Sequence, residues 1–146
     1  MQYTTEEVRV LGDLAQRTIL SLQAMPQPIV RVCGPLTTGG FGYERNAKRL
    51  ADAERILVEK GYTVFAFGDA EESIKDKGYA HSAVMGLFHR PVLESGLISE
   101  AFFLQGWNES KGATMEREMC GKIGRIAVTD FPEEWFGLHD RVTDQG

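Results

Sequence analysis

Apolar positions along the chain alternate between two spacings. Thr4 to Gln23 carries Val8, Leu11, Leu14, Ala15, Ile19 and Leu22 at helical intervals, with Thr4 or Thr5 and Glu7 placed to start the helix. Met25-Pro26-Gln27-Pro28 ends it. The run Ile29 to Cys33 then reads as a short buried strand closed by Gly34-Pro35. A helix is predicted from Tyr43 to Lys60, its inner face formed by Ala47, Leu50, Ala53, Ile56 and Leu57 and its end marked by Gly61. Tyr62 to Phe67 forms a second strand. Gly68 to Tyr79 is a polar, acidic loop, and Ala80 to Ser99 is a helix interrupted at Arg90-Pro91. Ala101 to Gln105 gives a third strand, Ala113 to Lys122 a helix and Arg125 to Thr129 a fourth strand. The tail, Asp130 to Gly146, is expected to pack Trp135, Phe136 and Leu138 as a cap and then fray.

Strands alternating with helices imply a parallel sheet with helices on its faces. The expected fold is one flavodoxin/Rossmann-like three-layer α/β domain over residues 1–146, with a sheet of four to five strands. Its core covers 29–129, preceded by an extra helix at 4–23 and followed by the tail at 130–146. Right-handed crossovers bring the strand C-termini to one edge, where the loops Gly34–Gly42, Gly68–Tyr79 and Gly106–Gly112 meet.

Composition narrows the function. The 146 residues suffice for one hydrophobic core, and 42% hydrophobic with 25% charged residues is ordinary for a globular chain. A net charge of −5 without a basic stripe argues against a nucleic-acid polymer, yet permits a small anion at a locally positive site. No run is long enough to cross a membrane and no signal peptide is visible, so a cytoplasmic location is the expectation. Cys33 and Cys120, with no CxxC spacing, read as buried thiols. Three scattered histidines, His81, His89 and His139, give no metal-ligand spacing, and neither a metal nor a cofactor is expected.

Two loops carry candidate chemistry. In the first, Gly34, Pro35, Thr37, Thr38, Gly39 and Gly40 leave a strand and enter a helix; the glycines allow close backbone approach and the threonines can donate to an oxyanion. It matches neither a Walker A loop nor the full dinucleotide pattern, and a plain turn explains it equally well. Tyr43, Arg45 and Asn46 open the next helix and can face the cleft or solvent. In the second loop, Trp107, Ser110 and Gly112 precede a helix whose first turn holds Glu116. A hydroxyl and free amides at a helix start suit an anion. Glu116 reads either as a reactive carboxylate or as complement to the helix dipole, and Glu118 as a solvated residue on another side. Trp107 either stacks on a base or fills the sheet edge. Asp69 is the best acid/base candidate of the acidic run that includes Glu71, Glu72 and Asp76; Glu94 is another.

Together the motifs Val32-Cys33-Gly34-Pro35-Leu36-Thr37-Thr38-Gly39 and Gly106-Trp107, Ser110-x-Gly112, Glu116 resemble the nucleoside 2-deoxyribosyltransferase-like superfamily, over about residues 29–129. The second is similar to the Gly-Trp-x-x-Ser-x-Gly-Ala-x-x-Glu signature of a phage and bacterial branch of unassigned function. The superfamily's 2′-deoxynucleoside 5′-phosphate N-hydrolases share its Ser-x-Gly-x-x-x-Glu part. The resemblance implies an N-glycosidase or deoxyribosyltransferase acting on a nucleoside or its 5′-monophosphate, and a homo-oligomer, dimer or larger. It implies Glu116 as the nucleophile of a retaining double displacement. It also implies Ser110, Gly112 and the Thr37–Gly40 amides as a phosphate seat. The family's acidic residue that assists the leaving base falls on Val92 here, with Glu94 two residues on, and its first-strand aromatic falls on Arg31. Either Glu94 or Asp69 replaces the acid, or strong glycosidase chemistry is lost. Arg31 either reaches the phosphate or is an ordinary surface or edge-strand arginine. The rival functions are a nucleotide-binding sensor of the same fold and an interaction protein that merely keeps it.

Overall fold

The computed structural model describes residues 2–36, 39–66, 74 and 77–137. Helix α1 spans Thr5–Gln23. Its start is a capping box, in which the Thr4 hydroxyl accepts from Glu7 N and the Glu7 carboxylate accepts from Thr4 N. The other oxygen of Glu7 accepts from Ala80 N at 3.0 Å, tying this helix to the segment that enters the helix starting at His81.

Strand β1 (Ile29–Cys33) is followed by α2 (Tyr43–Glu59) and β2 (Thr63–Phe65). Helix α3 (His81–Val84) runs through a π turn (Met85–His89) into α4 (Arg90–Glu94). Strand β3 (Ile98–Phe103), a 3₁₀ turn (Trp107–Glu109), α5 (Lys111–Ile123) and β4 (Ala127–Asp130) complete the order. All pairings are parallel and the strand order is β2-β1-β3-β4, the α/β three-layer arrangement that the periodicity predicts.

The side-chain alternation of β1 separates two cores. Ile29 and Cys33, with Ile98, Ala101 and Phe103 of β3, pack under α1, the π turn, α4 and α5. Val30 and Val32, with Phe102 and Leu104, pack under α2 and the tail, where Trp135 and Phe136 pack as expected, joined by the buried Phe131. Leu138 and His139 lie outside the described residues.

Two local expectations are corrected. The helix is not broken at Arg90-Pro91. Proline lacks an amide hydrogen and its ring crowds the carbonyl four residues back, and the widened turn immediately before Pro91 absorbs both effects. Strand β3 begins at Ile98 rather than Ala101. Ser99 and Glu100 interrupt its apolar pattern, but Ser99 Oγ donates to Ile29 O, and Glu100 accepts from the Thr129 hydroxyl at 2.6 Å.

Candidate active site

The connection after β1 leads to β2 on one side, and the connection after β2 returns to β3 on the other. The strand order therefore reverses between β1 and β3, the position where open α/β sheets bind ligands at their C-terminal edge. Both motif loops leave the sheet here. Leu104 N donates to Cys33 O at 2.9 Å, so the two strands stay paired up to the point where the loops diverge.

The loops then pack on each other. A Cβ on Gly39, whose φ is +72°, would stand 2.6 Å from the carbonyl oxygen of Glu109. Gly106, at φ +91°, lies against Pro35 and Gly40. Gly34 abuts Leu104 too closely for a side chain. Asn46 holds the first loop together: its Nδ2 donates to Leu36 O and Gly39 O, each at 3.1 Å, and its Oδ1 accepts from Phe41 N at 2.9 Å. Its amide is thus engaged by the backbone, so this predicted ligand contact acts as a clip for the loop. Tyr43 is about half exposed at the start of α2. Thr37, Thr38 and Asp69 lie outside the described residues.

In the second loop Ser110 is buried and caps α5, its Oγ accepting from Ala113 N at 3.3 Å. The hydroxyl's own hydrogen is not used in that bond. Gly112 faces the His81 ring, whose Cε1 would lie 3.5 Å from a Cβ at this position. Trp107 fills the sheet edge, edge-on to Phe103 at 6.0 Å, and Arg117 covers its ring at 4.2 Å. Glu118 is exposed, as expected.

Glu116 is carried one turn into α5 and turns inward. Its side chain is 10% exposed and that of Arg31 only 3%, and Arg31 Nη2 lies 2.9 Å from Glu116 Oε2. The Cys33 thiol donates to the same oxygen at 3.0 Å. Arg31 therefore sits on an inner strand, paired with the carboxylate, not at the surface or on an edge strand. The Phe65 ring of β2 lies 5.6 Å from its guanidinium carbon. Burial disfavours a charged thiol, and the Glu116 carboxylate disfavours it further, so Cys33 is held well above the ordinary thiol range. Cys120, one turn beyond Glu116 on α5, is pushed up to about 11 by the same two causes.

Glu94 is not brought to this cluster. It is exposed at the end of α4, its carbonyl accepts from Arg125, and it stands just before β3 begins, at the opposite edge of the sheet. Val92 is fully buried in the first core. The titratable group on that stretch of helix is His89, also buried, which burial and then Arg31 and His81 hold well below the usual imidazole range. Among the described residues no cluster of histidine, cysteine and carboxylate is arranged to hold a metal ion.

Arg31 and Cys33 are the parts of this cluster that sequence reasoning did not assign to Glu116. One signal was present: a lone cation inside the apolar run Ile29 to Cys33 requires a buried anion, and Glu116 is the carboxylate on the facing helix. No family model, curated protein or solved structure matches this chain. No helix among the described residues is long and apolar enough to cross a membrane.

Proposed function

We propose that this protein cleaves the base–sugar bond of a nucleoside or nucleoside 5′-monophosphate, as an N-glycosidase or deoxyribosyltransferase, with Glu116 as nucleophile. The observation that carries this reading is a carboxylate at the switch point of the sheet with one oxygen anchored by Arg31 and Cys33. Both contacts converge on Oε2; in this reading Oε1 is the oxygen that attacks the sugar carbon.

Oε1 would form a bond to the anomeric carbon while the carbon–nitrogen bond breaks. The electron pair passes to the base, which takes a proton from solvent. A water, or the nitrogen of a second base, then bonds to the same carbon as the ester bond to Oε1 breaks and the carboxylate returns; water gives up its proton to solvent. Two inversions give net retention. The Ser110 hydroxyl and the start of α5 would receive the 5′-phosphate, with the glycines of the first loop lining the other side. Arg31 stabilises the carboxylate, making it a weaker nucleophile but a better leaving group in the second step. The family resemblance of the two loops supports the same assignment, and with it a homo-oligomer.

A second reading, a nucleotide sensor without turnover, is favoured by one observation: among the described residues no second carboxylate contacts Glu116, and the position expected for the acid is the buried Val92. Incubation with ribo- and deoxynucleosides and their monophosphates, with free base followed by chromatography, separates the two. The enzyme releases base from at least one substrate, and Glu116→Gln lowers that release by roughly 10³-fold or more. Release that survives Glu116→Gln overturns the nucleophile, and binding without release for every compound establishes the sensor.

A further inference from the structure

We infer that Cys33 is a positioning residue for Glu116: its thiol hydrogen bond fixes which carboxylate oxygen is anchored and which is presented to substrate. This rests on the glycosyl-transfer reading of the site, but the bond itself can be tested without turnover.

Three features carry it. The Sγ–Oε2 separation of 3.0 Å is short for a sulfur donor, as a charged acceptor makes it. Arg31 approaches the same oxygen at 2.9 Å from two residues earlier on the same strand face, so the two donors grip Oε2 from one side. An arginine alone leaves a carboxylate free to swing about its terminal torsion, which is broad and roughly two-fold. A second donor on the same oxygen removes that freedom. Burial and the neighbouring carboxylate keep Cys33 protonated, so it serves as a donor and not as a competing nucleophile.

The first measurement is the infrared S–H stretching band of Cys33, identified by its loss in Cys33→Ala. It is expected at the low-frequency, strongly hydrogen-bonded end in the native protein. In Glu116→Gln, where a neutral amide replaces the carboxylate, it should move to higher frequency. A band that does not respond to Glu116→Gln overturns the proposal whether or not the protein turns over a nucleoside.

The second is base release with a substrate identified as above. Cys33→Ala should lower kcat about tenfold with KM little changed, the signature of a better-aligned transition state and not of tighter substrate binding. Cys33→Ser, which restores a donor on a shorter arm, should recover part of that loss. Equal losses in Cys33→Ala and Cys33→Ser, with thermal melting unchanged in both, overturn the positioning role. If the native protein releases no base while the S–H band still responds to Glu116→Gln, the glycosyl-transfer reading falls and takes the catalytic role of Cys33 with it, leaving the bond as a structural one.

Discussion

Arg31 and Glu116 illustrate how little a residue's type says about its work until its partner is known. A guanidinium enclosed in a sheet and a carboxylate enclosed under a helix each carry a heavy desolvation penalty, and their contact at 2.9 Å offsets it. Removing one partner leaves the other charge stranded. Arg31→Met should destabilise the protein by about 3 kcal/mol, the scale for breaking a buried pair. Adding Glu116→Gln to Arg31→Met should return part of that loss, because no uncompensated charge remains. Urea denaturation of the two single variants and the double variant closes the cycle, and strictly additive losses would show that the pair is not coupled.

At the scale of elements, the site depends on two loops whose shapes are set away from the reacting groups. The first is fixed by one side chain, Asn46, projecting from the first turn of α2 into the loop it follows. Asn46→Asp keeps the acceptor for Phe41 N but turns both donated bonds into contacts between oxygens. We expect a loss of about 2 kcal/mol, since each of the two donated bonds that are lost contributes on the order of 1 kcal/mol. Amide hydrogen exchange at Phe41 should rise in Asn46→Ala and much less in Asn46→Asp. A loop held by packing alone would show no such difference. The second loop is held from the helix it enters, by the Ser110 cap and by the Thr114 hydroxyl donating to Trp107 O at 3.3 Å. The π turn has a comparable function in the connecting helix, carrying Pro91 without a break and burying His89.

For the whole molecule, His89 ties stability to pH. Its folded-state pKa lies well below the unfolded value near 6.5, because burial and the nearby Arg31 oppose its protonation. The unfolded chain therefore binds the proton first. This contribution is complete above about pH 6.5 and is lost as pH falls from there toward the folded value. The native urea midpoint should drop between about pH 7 and 5.5, and His89→Gln should flatten the drop. Glu7, also lowered, by hydrogen bonds from Thr4 and Ala80, acts in a separate window below about 4.5. A midpoint in His89→Gln that falls as steeply as in the native protein would assign the dependence elsewhere.

The sequence by itself determined the layers. Period-3.6 spacing located α1, α2 and α5, and short apolar runs bounded by glycine, proline or polar residues located the four strands, to within a few residues, because both record which parts of the chain meet the core. It also located both loops of the site, since glycine, proline and a capping serine punctuate a chain locally. It could not assign partners across the fold. Arg31 and Cys33 are separated from Glu116 by more than eighty residues, and only the packing of α5 against this face of the sheet makes them one cluster. Nor could it separate Asn46 as clip from Asn46 as ligand contact, or show that Glu94 faces the opposite edge. Periodicity fixes the side of an element on which a residue lies. Which edge of the sheet it reaches, and what it meets there, follows only from the order in which the strands assemble.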